Sequence, residues 1–87
     1  MPENREIRLK RLRFRSHHMG TAENDALFGG FADAHLTALS DDQLDRFEAL
    51  LAENDGDLYD WISGLKEPPE NHGTDVFRMI LDFKYHL

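Results

Sequence analysis

The chain has 87 residues, a formal net charge of −7 and no cysteine. A chain of this length forms one domain that buries roughly 60–65% of its unfolded surface, which leaves little room for a deep private active site. The lack of cysteine excludes a disulfide framework, a thiolate nucleophile and a cysteine metal site. We therefore expect a single domain over residues 1–87 that acts through its surface.

The charge is distributed unevenly along the chain. Residues 1–20 contain six Lys or Arg and two acids, whereas residues 21–87 contain four Lys or Arg and fifteen acids. An acidic body repels nucleic-acid phosphate, so a protein partner of mixed charge suits the chain better than DNA or RNA. No apolar run reaches the roughly 18 residues that span a bilayer, and the amino end lacks the apolar segment of a secretory signal. The expectation is a monomeric protein of a bacterial cytoplasm that does not insert into membranes.

The first predicted helix runs from Arg5 to His18. Its apolar residues form no single stripe, but three arginines, Arg8, Arg11 and Arg15, follow one ridge at spacings i, i+3 and i+7. This ridge is either a solvated face or part of a partner-binding surface.

A sharp corner is predicted directly after this helix. Gly20 can adopt a positive φ, so it can end one helix and let the next begin within a residue or two. Glu23 then falls in the first turn of the second helix, where the helix dipole and free backbone N–H groups favour its carboxylate. A rigid carboxylate beside a basic helix indicates a docking surface for a protein partner.

The second predicted helix runs from Thr21 to about Ala38. The pair Gly29-Gly30 either kinks this helix or lets another helix approach closely, and close packing is the favoured interpretation. The predicted buried stripe consists of Leu27, Phe31, Ala34 and Ala38. Phe28 and His35 flank this stripe.

Two further helices are predicted from their capping signals. Ser40–Gln43 match the capping box S-x-x-Q at the start of a helix that reaches Glu53. Residues 54–56 then form a turn, and Asp57 caps a fourth helix that ends near Gly64.

After an extended loop over residues 66–73, Thr74 or Asp75 caps a fifth helix. The apolar residues predicted to pack inward from the last three helices are Leu44, Phe47, Leu50, Leu51, Leu58, Trp61, Ile62, Leu65, Val76, Phe77, Met79, Ile80, Leu81 and Phe83. Five helices with mostly short connections predict an all-α fold, a small antiparallel five-helix bundle.

Signatures of catalysis or ligand binding are absent from the sequence. No two histidines are spaced i, i+4, and residues 54–57 lack the alternating ligands of a calcium loop. There is no nucleophile motif, phosphate-binding glycine loop or dinucleotide fingerprint. A helix-turn-helix would carry Asp41, Asp42 and Asp45 into the DNA phosphates. We expect no catalytic residue, no bound metal and no cofactor held by the chain itself.

Taken in order, these residues resemble the succinate dehydrogenase assembly factor family, the SdhE-type FAD assembly factors. The resemblance covers nearly the whole chain. Arg15-Ser16 followed by Gly20–Asp25 is similar to the family's R-G-x-x-E signature and its sequel. The later residues that match are Leu39-Ser40 through Leu44, Phe47-Glu48, Leu50-Leu51, Asp55, Asp57-Leu58 and Trp61-Ile62.

The resemblance implies a five-helix assembly factor that is not an enzyme. It implies binding to the flavoprotein subunit of succinate dehydrogenase, and in some bacteria of fumarate reductase, so that FAD becomes covalently attached to a histidine of that subunit. Gly20 and Glu23 carry over as the functional pair at the partner surface, with Arg15 and Asp25 as their neighbours. An antitoxin-like or other small interaction regulator is the alternative.

One position departs from the family signature, because its arginine is Met19 here. Methionine lacks the charge and the bidentate donor geometry of arginine. Either Arg15 or the ridge of Arg8 and Arg11 compensates for the loss, or the choice of partner is altered.

Overall fold

The computed structural model describes residues 3–86 and contains five α-helices and two short 3-10 helices. The α-helices are α1 (Arg5–Ser16), α2 (Ala22–His35), α3 (Asp41–Leu51), α4 (Asp55–Ser63) and α5 (Asp75–Tyr85), and the 3-10 helices are Leu36–Ala38 and Glu70–His72. No β-strand occurs in residues 3–86, and the predicted all-α five-helix bundle is confirmed. None of the helices in this range is long and apolar enough to cross a membrane.

Each α-helix begins at a side chain that accepts a hydrogen bond from a backbone N–H of the first turn. The predicted capping box is complete, because Gln43 Oε1 also accepts a hydrogen bond of 2.9 Å from the Ser40 backbone N–H. The prediction for α4 is wrong. Asn54, not Asp57, is its cap, and its Oδ1 accepts a hydrogen bond of 2.8 Å from the Asp57 N–H. The five caps are Asn4, Thr21, Ser40, Asn54 and Thr74.

One hydrophobic core joins all five helices. Burying a large apolar side chain contributes roughly 1.5–3 kcal/mol, so these contacts are the main source of stability in a chain without disulfides. The largest side chains that are fully buried are Leu12, Phe28, Phe31, Leu36, Leu44, Phe47, Leu50, Leu58, Val76 and Ile80.

The buried face of α2 differs from the predicted stripe. Ala34 and Ala38 are exposed, whereas Phe28, Ala32 and Leu36 are almost completely buried. Burying a phenyl ring contributes far more than burying a methyl group, so the helix turns Phe28 inward. The chain also tightens to a 3-10 helix after residue 35, which shifts Ala38 out of the 3.6-residue period.

A second prediction, the burial of Leu65 at the end of α4, is wrong. Gly64 has a φ of +83°, a left-handed conformation that ends the helix. Leu65, predicted to be buried, therefore leaves the helix and is 70% exposed. The following loop contains the second 3-10 helix, in which His72 is buried and lies 3.0 Å from Glu53 through its Nε2.

The glycine pair of α2 supports close packing. A Cβ at Gly29 would lie 2.5 Å from Nδ1 of His17, and a Cβ at Gly30 would lie 3.3 Å from the ring of Phe83. The helix continues through both glycines. Their role is to let the end of α1 and the face of α5 approach the backbone of α2.

The arginine ridge of α1 packs against α3. Arg8 donates to Asp45 Oδ1 at 2.6 Å and to Glu48 Oε1 at 3.1 Å, and Arg11 donates to Glu48 Oε2 at 2.9 Å. Arg15 donates to the carbonyl of Leu51 at 2.9 Å. The ridge is therefore not a solvated face. The hydrogen bond from Arg11 lowers the pKa of the Glu48 carboxyl below its ordinary value of 4.5.

This pKa shift predicts how acid acts on the α1–α3 contact. A lowered folded-state pKa gives stabilisation that is fully present above the unfolded pKa, near 4.5, and is lost as the pH falls through the folded pKa. At about pH 7 we expect Glu48→Gln to lower the free energy of unfolding by about 1 kcal/mol, the range for partly exposed ion pairs. At about pH 3, below the unfolded pKa, the difference between the variant and the parent should be smaller than at pH 7.

Urea unfolding followed by circular dichroism at both pH values measures this difference. Glu67→Gln, in the exposed loop after α4, is the control and should match the parent at both values. Equal destabilisation by Glu48→Gln at both pH values would show that lost packing, not lost charge, is the cause.

Candidate functional site

The corner, defined as residues 17–25, joins α1 to α2 and is fixed by two capping hydrogen bonds. The Asp25 carboxylate accepts one from the Met19 backbone N–H, and Thr21 Oγ1 accepts one of 3.2 Å from the Asn24 N–H. Within the described part of the chain only Gly64 has a positive φ. Gly20 therefore does not adopt the positive φ that was open to it as a glycine, because these caps turn the chain with ordinary backbone angles.

Gly20 is required for a different reason. A Cβ at this position would lie 2.9 Å from Cγ of Asp55 and still nearer to its Oδ2. Asp55 is held in place because the Asn24 side chain donates to its Oδ1 at 3.1 Å and to its carbonyl at 3.2 Å. The start of α4 thus packs directly on the corner, and the missing side chain of Gly20 provides the space.

The sequence pattern did not predict the hydrogen bonds between Asn24 and Asp55. Asn24 is 2% exposed although it stands among acidic residues in the first turn of α2. Its partner is 31 residues away, and no local spacing connects the two positions. A buried amide with both of its hydrogen bonds directed to α4 makes the corner a rigid part of the bundle.

Glu23 lies on the outer side of the corner. It is in the first turn of α2, where the helix dipole favours its negative charge, and it is exposed. Among residues 3–86 it forms no ion pair and no side-chain hydrogen bond. The backbone of Glu23 is held in the helix while its carboxylate is exposed, so that charge is available to an external donor.

The structure brings some of the other candidate residues together. Arg15, Met19, Gly20 and Asp55 line a polar cleft of about 180 Å³. Met19 is half-buried and packs against the core.

Arg8 and Arg11 do not line this cleft, because both are paired with carboxylates of α3. Arg15 joins the two regions, since it lines the cleft and also donates to the carbonyl of Leu51. Within residues 3–86 there is no group of three or more acidic or histidine side chains placed to hold a metal ion.

Comparison with known proteins identifies the family to which the chain belongs. The family model described as "Flavinator of succinate dehydrogenase" matches residues 10–84. The FAD assembly factor SdhE of Acetobacter pasteurianus is 35% identical over 80 residues, which is 92% of this chain and 73% of that protein. The mitochondrial succinate dehydrogenase assembly factor 2 of Meyerozyma guilliermondii is 46% identical over 61 residues, which is 70% of this chain and 45% of that protein.

A third relative, from Dictyostelium discoideum, is also a mitochondrial succinate dehydrogenase assembly factor 2. It is 35% identical over 71 residues, which is 82% of this chain and 50% of that protein. The chain thus spans about half the length of these mitochondrial relatives and most of the bacterial one. The resemblance inferred from the corner and the later helices is confirmed, and the chain belongs to the family of flavinators of succinate dehydrogenase.

Proposed function

We propose that this chain is an assembly factor that binds the flavoprotein subunit of succinate dehydrogenase and promotes its covalent flavinylation with FAD. The family description and the names of the relatives support this function. The observation that carries the proposal is the exposed Glu23 carboxylate on a corner that Asp25 and Asn24 hold rigid. A backbone that is already ordered loses less conformational entropy when a partner binds than a flexible segment does.

The mechanism requires no chemistry from the chain itself. The corner docks on the apo-subunit and favours the conformation in which the subunit's own histidine lies in attack geometry to the flavin. Holding two reacting groups in place can lower a barrier by several kcal/mol. The chain acts as a positioning partner, not as an enzyme, and holds neither FAD nor a metal.

Each residue of the site has a part in this proposal. Glu23 forms the charge-assisted contact with the subunit. Gly20 and Asp25 set the shape of the corner, and Arg15 fixes it to α3 through the Leu51 carbonyl. Arg8 and Arg11 act indirectly, because their pairing with Glu48 positions α1.

Met19 contacts the core with an apolar side chain at the position of the signature arginine. The corner therefore offers its partner a negative charge without a neighbouring positive one at this position. We include the fumarate reductase flavoprotein as a second partner class, and we assign the chain as a single-domain monomer of a bacterial cytoplasm.

The test is a flavinylation assay with purified components. Apo-flavoprotein subunit is incubated with FAD, with and without this chain, and covalent flavin is measured by its fluorescence on the denatured subunit. We expect the chain to raise the initial rate by roughly 10-fold or more, which corresponds to about 1.4 kcal/mol of barrier. An unrelated acidic protein of similar size is the control. Equal rates with and without the chain would overturn the proposal.

If the chain is instead an antitoxin-like regulator, a pull-down from the native cytosol should capture a different protein. Binding to nucleic acid through α1 would weaken steeply with salt. Recovery of one flavoprotein subunit, carrying covalent flavin, separates the proposed function from both.

A further inference from the structure

A groove runs between α2 and α4 beside the corner, on the side where Glu23 lies. Its volume is about 320 Å³. The floor is formed by Leu27 and Ile62, which are 7% and 6% exposed and belong to the hydrophobic core. Ala26 and Ser63 form exposed parts of its walls.

The helix period explains why these side chains line one groove. Glu23, Ala26 and Leu27 follow the spacing i, i+3, i+4 on α2. On α4 the same spacing is repeated by residues 59, 62 and 63. Residues at this spacing share one face of a helix, so two short faces are turned toward a common space. Because the facing residues Ala26 and Ser63 are small, the space between the helices stays open.

The rims of the groove carry different polar groups. Lys84 Nζ donates to the carbonyl of Ile62 at 3.2 Å, so this ammonium group is tied to the last turn of α4. Tyr59, which is 45% exposed, stands at the wall formed by α4. The Glu23 carboxylate forms no ion pair within the described residues. An incoming cation therefore finds its partner at the α2 rim.

We propose that this groove receives one large apolar side chain of the flavoprotein subunit, and that a neighbouring Lys or Arg of the subunit pairs with Glu23. This inference rests on the proposed function and identifies the kind of partner segment that the site recognises. Interfaces obtain most of their binding energy from a few such anchors, in which a large side chain enters a pocket and polar contacts surround it. The apolar floor of the groove would contact the large side chain, and the unpaired Glu23 carboxylate would form the polar contact beside it.

Charge and size favour a side chain over a small molecule. A volume of about 320 Å³ is at the lower end of the range for ligand pockets, which is roughly 300–1,000 Å³. Glu23 at the rim would repel the phosphates of a nucleotide cofactor, and the ammonium group of Lys84, the other charge of the groove, already donates to the carbonyl of Ile62.

A second copy of this chain is a weaker candidate for the occupant. Within residues 3–86 the exposed large apolar side chains next to a Lys or Arg are Ile7, Phe14, Leu65 and Tyr85. Three of the neighbouring cations already have partners, Arg8 with Asp45, Lys66 with Asp60 and Lys84 with the carbonyl of Ile62. Phe14, between two arginines, is 63% exposed. Phe14 is stacked on His18 with 4.0 Å between the ring centroids. Its neighbours Arg13 and Arg15 are already held by Asp33 and the Leu51 carbonyl. A basic segment of the flavoprotein subunit meets Glu23 without breaking such contacts.

Filling the groove tests the inference. Ala26→Trp places an indole in the open space from an exposed position, and Ala49→Trp makes the same change at an exposed position of α3. Binding of the apo-flavoprotein subunit is measured by titration, and urea unfolding confirms that both variants are folded. We expect Ala26→Trp to weaken binding at least 10-fold and Ala49→Trp to leave it within about 2-fold of the parent.

The outcomes separate this inference from the proposed function. If Ala26→Trp binds like the parent while Glu23→Gln binds weakly, the groove is not the anchor site and the docking corner stands. If the parent does not bind the subunit, the proposed function and this inference both fail. If sedimentation shows a parent dimer that Ala26→Trp dissociates, or if free FAD binds the parent and not the variant, the occupant is a second copy or a small molecule, and the inference is wrong.

A photo-crosslinking side chain placed at Ser63 identifies the occupant directly. After irradiation of the complex, the crosslinked peptide of the subunit is sequenced. We expect a large apolar residue within one or two positions of a Lys or Arg. A peptide without that pair would overturn the inference.

Discussion

Glu23→Gln is expected to weaken binding of the apo-flavoprotein subunit by a factor of roughly 30 to 1,000. This corresponds to about 2–4 kcal/mol, the cost of removing one partner of a desolvated charge pair. The carboxylate is exposed, belongs to the first turn of α2 and forms no ion pair in residues 3–86, so its charge is available to the subunit. Covalent flavinylation at subsaturating concentrations of the chain should fall in parallel. Titration calorimetry and the flavin fluorescence assay measure the two effects.

The matched control is Asp42→Asn. Asp42 is also an exposed acid in the first turn of a helix, α3, and it also has no ion pair among the described residues. Each substitution should change the free energy of unfolding by no more than about 1 kcal/mol, the range for a charge near a helix end. Because stability is then equal, a difference in binding reports the partner contact. Equal binding by the parent and by Glu23→Gln would exclude Glu23 from the docking surface.

Local signals in the sequence predicted much of the fold. The Ser40 capping box, the N-cap predicted at Thr74 or Asp75 and found at Thr74, and the apolar spacing in α3 and α5 depend on residues within one or two helical turns of each other. All residues of such a pattern lie close together in the chain, so the sequence alone shows the whole pattern. Errors arose where two local signals competed, as at Asn54 and Asp57, which are both good helix caps.

Contacts between distant residues could not be predicted in the same way. The spacing of Arg8 and Arg11 showed that they share a face, but not that Glu48 lies opposite, 37 residues beyond Arg11. At the candidate site, Glu23 and Gly20 were found from the signature. The reason for Gly20 was not, because it depends on Asp55. The groove was also missed, since its two walls come from separate helices and only the folded bundle places them side by side.

Because Gly20 packs against Asp55, Gly20→Ala is the second substitution for which we expect a large effect. The new Cβ would overlap the Asp55 carboxylate, so that side chain must turn away and give up its hydrogen bond with Asn24. We expect the free energy of unfolding to fall by roughly 1–3 kcal/mol, the usual cost of overpacking. Gly73→Ala is the control. Gly73 has a φ of −78°, and its Cβ would make an ordinary contact at 3.5 Å, so this variant should be as stable as the parent or slightly more stable.

A double-mutant cycle with Asp55→Ala shows whether this conflict is the cause. In that background the nearest remaining Asp55 atom would be its Cβ, at 3.6 Å from the new methyl group, which is an ordinary contact. Gly20→Ala should then be neutral, or stabilising by about 0.4–1 kcal/mol through the lower entropy of the unfolded chain. The coupling between the two sites should be roughly 1–3 kcal/mol by urea unfolding. If Gly20→Ala costs the same in both backgrounds, the contact with Asp55 does not explain why glycine is needed at the corner.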